Sequence, residues 1–212
     1  MSSTGTPTPA IKVLIVDDHP VVREGMRALF GRHPEFHVIA EAVDGIEAVS
    51  LYPSLLPDVS LIDLHLPGLN GIEVIRAIRK HHPDAGLVAI TSWAGDANVR
   101  SAFAAGADGF LHKGVPGEEV LEAVRTVHAG GRWMSSETMA LLDATHGYDL
   151  TLREVGVITL VAEGLRNQEI ANQLGLSLST VKVHINAIME KLNAQDRTEA
   201  VVTALKRGII HL

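Results

Sequence analysis

The sequence predicts an α/β domain built on a parallel sheet, followed by a smaller all-α domain. In the first 130 residues, short apolar runs alternate with helical patterns of about ten residues, and this alternation is typical of α/β folds. The strand signal stops after Gly130 and Gly131, and beyond Leu150 only helical patterns remain. These observations predict two domains that are joined by a short tether.

The first domain is predicted from five apolar runs rich in branched residues and from the five helical patterns that follow them. The predicted strands are 11–16, 36–40, 59–62, 87–90 and 109–111, and the predicted helices are 21–30, 45–52, 71–80, 97–105 and 118–128. Strands that alternate with helices form right-handed βαβ units, in which a parallel sheet lies between two helical layers. We therefore expect a flavodoxin-like, doubly wound fold with a five-stranded parallel sheet over residues 10–130.

The second domain is predicted to be a four-helix unit over residues 149–212, which is too small for a large-cavity enzyme. Its helical patterns cover residues 151–163, 167–174, 178–192 and 197–206. The polar stretch 131–148 predicts the linker between the domains. Residues 1–9 predict a disordered lead-in, because they lack the basic start and apolar core of a secretory signal.

Composition excludes several classes of site. The chain has 212 residues, 18 basic and 25 acidic side chains, and no cysteine, which excludes disulfides, thiolate zinc sites and cysteine nucleophiles. Residues 1–148 carry 18 acids and 11 bases, whereas residues 149–212 carry seven of each, so the excess acidity does not oppose nucleic-acid binding by the second domain. Because no apolar stretch reaches the roughly 20 residues of a membrane helix, we expect a cytoplasmic protein without a membrane partner.

Five polar side chains follow predicted strands at the point where each strand ends. Asp17 and Asp18 follow the first strand, Asp63 the third, Thr91 the fourth and Lys113 the fifth. In an open sheet of order 2-1-3-4-5, ligands bind at the carboxyl edge between strands 1 and 3, where the three carboxylates would meet. Crowded carboxylates repel one another, and a divalent cation such as Mg²⁺ or Mn²⁺ would neutralise them.

Together these side chains predict a phosphoryl-transfer site. The cation would clamp a phosphoryl group, Lys113 would pair with one phosphoryl oxygen, and the Thr91 hydroxyl would donate to another. A carboxylate held in this way can attack phosphorus and form an acyl phosphate. A single aspartate at a strand end more often caps a helix or turn, but five such groups at one sheet edge favour the chemical interpretation.

A helix-turn-helix pattern surrounds Gly175 in the second domain. Residues 167–174 and 178–192 predict two helices separated by a turn, with Ser177 or Ser179 as the N-cap of the second helix. The second helix carries apolar residues at helical spacing, which predicts one buried stripe made of Val181, Ile185, Ile188 and Leu192.

The opposite face of that helix is expected to bind DNA. Lysine can donate to guanine or phosphate, asparagine can pair with adenine, and valine can contact a thymine methyl group. A polar outer face is also typical of helices that bind protein, but an exposed valine, together with five bases against three acids from residue 177 onward, favours DNA. The expected contacts are Thr180, Lys182, Val183, His184, Asn186 and Lys191.

Several segments resemble known families. The receiver domain of two-component response regulators is similar to VLIVDDHPVVREGMRALF, PDVSLIDLHLPGLNGIEVI, ITSWA and GADGFLHKG. The DNA-binding domain of the LuxR/NarL class is similar to LTLREVGVI, AEGLRNQEIANQLGLSLSTVKVHINAIMEKL and RTEAVV. The chain thus resembles a LuxR/NarL-class response regulator over nearly its whole length.

The resemblance implies roles for the residues at the sheet edge. Asp63 would be the phosphoacceptor, and Asp17 and Asp18 would bind Mg²⁺ (or Mn²⁺) together with the Asp63 carboxylate. Thr91 and Lys113 would contact the phosphoryl group. Phe110 matches a switch aromatic whose ring turns inward when Thr91 moves toward the phosphoryl group, although an ordinary strand aromatic fits the same position.

The resemblance also implies a regulator that is not an enzyme, apart from catalysing its own phosphorylation and dephosphorylation at Asp63. Its partners would be a sensor histidine kinase or a small phosphodonor, promoter DNA, and a second copy of the chain once phosphorylated. One alternative is the same architecture gated by a ligand or protein. Another is an aspartyl phosphatase of the haloacid dehalogenase type, but that type usually has an acid where this chain has His65.

Three positions depart from the pattern of the DNA-binding family. Leu152 stands where a proline is common, and Gly156 stands where a larger residue is common. Glycine inside a helix costs about 1 kcal/mol relative to alanine, so the departure at Gly156 predicts a weakened first helix rather than a loss of DNA binding. Asn186 also stands where the family often has a basic residue, so the target sequence of a relative cannot be transferred to this chain.

Overall fold

The computed structural model describes residues 9–92, 95–144 and 150–210. Among these, residues 9–92 and 100–135 form one compact unit, and residues 95–99, 136–144 and 150–210 form a second. The predicted disordered lead-in is residues 1–9, and all of it except Pro9 lies outside the described residues. None of the helices within the described ranges is both long and apolar enough to cross a membrane.

The sheet is parallel and doubly wound, as predicted. Its strand order is β2-β1-β3-β4-β5-β6, so the winding direction reverses between β1 and β3. The strands are β1 (Ile11–Val16), β2 (Phe36–Ala42), β3 (Val59–Asp63), β4 (Gly86–Thr91), β5 (Gly109–His112) and β6 (Trp133–Met134). The helices that follow the first five strands are α1 (Pro20–Phe30), α2 (Gly45–Leu55), α3 (Gly71–His81), α4 (Asp96–Ala105) and α5 (Gly117–His128).

The sheet has six strands, whereas the sequence predicts five. Gly130 has a φ of +79°, a conformation that favours glycine, and it ends the turn after α5. The chain then runs beside β5, where the Trp133 N–H donates to the Asp108 carbonyl oxygen at 2.9 Å. β6 is not predicted from the sequence, because a strand of two residues is too short to show a hydrophobic period.

The predicted linker, residues 131–148, is also more ordered than expected in its described part. It contains β6 and a further helix, α6 (Ser136–Ala144). Polar residues in α6 had indicated a tether, but short helices with mixed polarity lack a periodic signal. Residues 145–149, at the end of the predicted linker, lie outside the described residues.

Both faces of the central strands are buried. Val13 and Ile15 pack in one core cluster with residues of α1 and α5, while Leu14 and Val16, which alternate with them, are also buried. Parallel sheets covered by helices on both faces need apolar residues at successive positions, as β1 has. This packing holds the carboxyl ends of the strands in fixed positions.

The C-terminal helices agree with the predicted four-helix unit to within one residue at each end. They are α7 (Leu152–Ala162), α8 (Asn167–Leu174), α9 (Leu178–Lys191) and α10 (Arg197–Lys206). Their core includes Val157, Ile170, Val181 and Ile188. A capping box starts α7, in which the Thr151 side chain accepts from the Glu154 N–H and the Glu154 side chain accepts from the Thr151 N–H.

Candidate functional sites

The three predicted aspartates meet at the carboxyl edge of the sheet because β1 and β3 are neighbours. Asp63 is 1% exposed and Asp17 is fully buried, whereas the Asp18 side chain is 34% exposed. One oxygen atom of each of these aspartates and one ring nitrogen of His19 all lie within 4.8 Å of one another. His19 is not among the predicted site residues, although its position directly after two aspartates could have indicated it.

Backbone N–H groups orient two of the carboxylates. The His19 N–H donates to Asp17 Oδ1 at 2.9 Å, and the His65 N–H donates to Asp63 Oδ1 at 3.2 Å. In both cases an aspartate accepts from the residue two positions later, a local bond that short acidic side chains form readily. The Oδ2 atoms of both aspartates lie instead beside Lys113.

Lys113 lies between two of the aspartates. Its Nζ is 2.7 Å from Asp17 Oδ2 and 2.8 Å from Asp63 Oδ2, and its side chain is 12% exposed. Burial lowers the pKa of Lys113, but the hydrogen bonds to Asp17 and Asp63 outweigh it and raise the pKa above its ordinary value of 10.5. Lys113 therefore carries a positive charge inside the acidic site at neutral pH.

The donor set fits a small divalent cation. Three carboxylates face one ammonium group, so two negative charges are left for another cation to neutralise. Carboxylate oxygens are ligands that Mg²⁺ and Mn²⁺ prefer, and the partial exposure of Asp18 leaves room for the waters that Mg²⁺ usually keeps. Asp17, Asp18 and Asp63 could hold such an ion.

Thr91 and Phe110 are both buried, but only Thr91 lies at this edge, because Phe110 pairs with Ala89, two residues before Thr91. Thr91 ends β4, and its Oγ1 lies 3.1 Å from Nδ1 of His65. The sequence carries no signal of this hydrogen bond, because the two residues are 26 positions apart and meet only across neighbouring strands. The ring of Phe110 lies inside the sheet unit, and its movement with Thr91 stays a prediction.

The turn between α8 and α9 has the predicted helix-turn-helix form. Gly175 ends α8 with a φ of +65°, and Ser177 caps α9 by accepting from the Thr180 N–H at 3.1 Å. Of the two serines considered, Ser177 is therefore the cap. In the predicted core stripe, Ile185 is half-buried and the other members are buried, namely Val181, Ile188 and Leu192.

The outer face of α9 exposes three of the residues predicted to contact DNA. Lys182 and Asn186 are exposed, and Val183 is 66% exposed, which is high for an apolar side chain. Thr180 and His184 are half-buried, and the Thr180 hydroxyl is hydrogen-bonded to the Ser177 hydroxyl at 2.7 Å. The exposed triplet lies within one helical turn, as a surface that contacts adjacent bases requires.

Lys191 is engaged within the protein, which differs from its predicted place among the DNA contacts. Its Nζ donates to Glu154 Oε2 at 2.6 Å, and Glu154 on α7 is only 5% exposed. Lys191 lies three residues after the buried Ile188, so both lie on the same side of α9. The bond therefore ties α9 to α7.

The charge of Glu154 is stabilised by its partners. Burial raises the pKa of Glu154, but the hydrogen bonds from Lys191 and from the Thr151 N–H and hydroxyl lower it below its ordinary value of 4.5. Glu154 is thus ionised at neutral pH. The resulting ion pair is part of the framework that supports α9.

Comparison with known proteins identifies the family. Residues 13–125 match the response regulator receiver domain, and residues 149–204 match the bacterial regulatory proteins of the luxR family. The chain is 37% identical over 212 residues to the uncharacterized transcriptional regulatory protein YxjL of Bacillus subtilis, covering 94% of this chain and 97% of that protein. It is also 37% identical over 209 residues to the DNA-binding transcriptional activator DevR/DosR of Mycobacterium tuberculosis, covering 93% and 96%.

A solved structure supports the same assignment. The LuxR-family two-component response regulator from an Aurantimonas species has 39% identity and a TM-score of 0.62, and the match covers 64% of this chain and 96% of that chain. The resemblance noted in the sequence is confirmed. This chain belongs to the NarL/LuxR-type response regulators, the DNA-binding transcriptional regulators that join a receiver domain to a LuxR-family domain.

Proposed function

We propose that this protein is a transcriptional regulator that is switched by phosphorylation of Asp63 and binds promoter DNA through α9. The observation that carries the proposal is the buried Asp63 carboxylate, which lies beside Asp17 and 2.8 Å from Lys113 Nζ. A buried aspartate in contact with a largely buried lysine and a second acid is costly to maintain for stability alone. A role in phosphoryl transfer accounts for all of these groups.

Asp63 is suited to act as the nucleophile. The His65 N–H holds Oδ1, and the other oxygen, Oδ2, lies beside Lys113. An Asp63 oxygen would attack phosphorus, the bond from phosphorus to the leaving group would break, and the leaving group would keep that electron pair. The donor would be a phosphohistidine of a sensor kinase or a small phosphodonor.

Two side chains would then stabilise the phosphoryl group. Lys113 would pair with one phosphoryl oxygen, and the Thr91 hydroxyl would donate to another. The ring of Phe110 would turn inward as Thr91 moves toward the phosphoryl group. Mg²⁺ held by Asp17, Asp18 and Asp63 would supply further positive charge at these oxygens. The same groups would support hydrolysis of the acyl phosphate, which resets the protein.

The second domain would bind DNA in the cytoplasm as a homodimer. Lys182, Val183 and Asn186 would enter the major groove, and two copies would occupy half-sites about one helical turn apart. Phosphorylation would shift the population toward the form that pairs on DNA. A change from 1:99 to 99:1 requires a difference of about 5.5 kcal/mol in favour of the active form.

Control of DNA binding by phosphorylation is tested by selecting bound sequences from a random pool of DNA duplexes at one fixed salt concentration. One arm contains Mg²⁺ and beryllofluoride, which mimics the phosphoryl group on Asp63, and the other arm contains neither. We expect enrichment of a motif with two half-sites in the first arm alone. Equal enrichment in both arms would remove phosphorylation as the main switch, and none in either arm would indicate a protein-binding role. Salt is fixed because phosphate contacts dominate affinity.

The acceptor is tested with Asp63→Asn, because an amide oxygen is too weak a nucleophile to form the acyl phosphate. We expect this variant to fold and to incorporate no labelled phosphate from a small phosphodonor in the presence of Mg²⁺. The matched control is Asp84→Asn, which changes an exposed aspartate of the same unit and should be labelled like the wild type. Normal labelling of Asp63→Asn would show that another residue is the acceptor.

A further inference from the structure

His65 connects the acceptor to the residue predicted to respond to it. Its backbone N–H donates to Asp63 Oδ1 at 3.2 Å, and its ring Nδ1 lies 3.1 Å from Thr91 Oγ1. The roles assigned above to the acid cluster and to the phosphoryl contacts do not include this imidazole. One residue therefore contacts both the carboxylate on β3 and the hydroxyl on β4.

The hydrogen bond between His65 and Thr91 competes with the proposed contact of Thr91. A threonine hydroxyl has a single hydrogen to donate. When Thr91 donates it to Nδ1, that hydrogen is not available to a phosphoryl oxygen on Asp63. When Nδ1 carries the hydrogen instead, Thr91 Oγ1 accepts it and keeps its own hydrogen, so the competition belongs to the tautomer in which Nδ1 accepts.

We propose that His65 is a positioning residue that holds Thr91 in the unphosphorylated arrangement and opposes its movement toward the phosphoryl group. This inference rests on the proposed function and specifies what restrains its switch. The hydrogen bond to His65 is lost when the protein is activated. Removing the imidazole therefore removes a contact that favours the inactive arrangement, and a phosphoryl mimic should bind more tightly.

The test compares beryllofluoride binding by full-length variants in Mg²⁺. His65→Leu fills most of the imidazole space but cannot hydrogen-bond, and we expect it to bind about two- to tenfold more tightly than the wild type, the range for one net hydrogen bond. His65→Asn places a polar atom near the position of Nδ1 and should restore an affinity close to that of the wild type. His37→Ala changes an exposed histidine at the start of β2 and is the control that should not alter binding.

A second measurement follows Thr91 directly. In protein labelled with ¹³C at threonine methyl groups, the Thr91 resonance is assigned with Thr91→Ser and titrated with beryllofluoride. Before any beryllofluoride is added, we expect the Thr91 resonance of His65→Leu to lie part of the way toward its position in the bound wild type. If His65 only contributed to packing, His65→Leu would not shift the Thr91 resonance toward its position in the bound wild type. In that case His65→Asn would also not restore the position seen in the free wild type.

The outcomes separate the inference from the proposed function. If the wild type binds beryllofluoride and folded His65→Leu binds it equally or more weakly, the inference is wrong and the proposed function stands. If the wild type does not bind beryllofluoride, both are wrong. Should His65→Leu fail to fold, His65→Ala replaces it with the same expected direction of change.

Discussion

At the carboxyl edge of the sheet, charged side chains from the ends of three strands meet, whereas on α9 a single helix contributes the whole exposed face that we propose contacts DNA. Asp17, Asp63 and Lys113 are distant in sequence and buried together. Lys182 and Val183 are adjacent in sequence and exposed. A substitution in the first region should therefore change stability and chemistry together, while one on the outer face of α9 should change binding alone.

The largest effect on stability is expected from Lys113→Met. This change leaves Asp17 and Asp63 buried without their ammonium partner, and loss of one member of a buried pair lowers the free energy of unfolding by about 3 kcal/mol. Urea unfolding without Mg²⁺ measures the loss. Lys80→Met, at an exposed position in α3, is the control and should change stability by less than about 0.5 kcal/mol.

The effect of Mg²⁺ on the stability of Lys113→Met is a second test of this prediction. Because a cation can neutralise the same carboxylates, millimolar Mg²⁺ should stabilise Lys113→Met more than it stabilises the wild type. If Lys113→Met is as stable as the wild type without Mg²⁺, the carboxylates do not depend on Lys113, and the contrast between the two regions is lost.

Lys191→Met tests whether an ion pair on the inner side of α9 contributes to stability, as the one at the sheet edge is expected to do. Removing the partner of the buried Glu154 should lower the free energy of unfolding by about 2 kcal/mol, which is less than at Lys113 because the Lys191 side chain is 34% exposed. The measurement is urea unfolding of both proteins as a function of pH.

The pH dependence has a definite sign. The folded state lowers the pKa of Glu154, so its contribution is complete above the unfolded value of 4.5 and is lost as the pH falls through the lower folded pKa. The difference between wild type and Lys191→Met should therefore shrink as the solution is acidified below pH 4.5. A difference that is constant with pH would mean that the charge of Glu154 is not what makes Lys191 stabilising.

Lys182→Ala should weaken DNA binding without lowering stability, unlike Lys113→Met and Lys191→Met. We expect affinity for the selected duplex to fall about tenfold at fixed salt, the loss of one contact to a base or phosphate. Stability should change by less than about 0.5 kcal/mol, because Lys182 is exposed. Lys80→Ala serves as the control for charge, and unchanged binding by Lys182→Ala would mean that another face contacts DNA.

The smallest effect is expected from Gly156→Ala, which tests the scaffold under α9. An added Cβ would meet no described atom within 4 Å outside the immediate helix, so alanine can be accommodated. Its higher helix propensity should raise the free energy of unfolding by up to about 1 kcal/mol without changing DNA affinity. A loss of stability would show that α7 needs glycine here for a reason other than space.

Much of the fold and of both sites could be predicted because the signals are local. The apolar runs of β1 and β3, and the acids that follow them, place Asp17 and Asp63 at one edge once the strand order is known. The apolar stripe of α9 likewise places Lys182 and Val183 on its outer side. β6 could not be predicted in this way, because two residues carry no period.

The sequence by itself determined the two domain types, the residues that follow the strands at the acidic site, and the outward face of α9, because the hydrophobic period depends on neighbouring residues. Tertiary structure alone decided that Lys191 pairs with Glu154, that Lys113 lies between Asp17 and Asp63, and that His65 is hydrogen-bonded to Thr91. The physical reason is distance along the chain. These side chains meet only after separate helices and strands have packed, and packing selects which partner each polar group reaches.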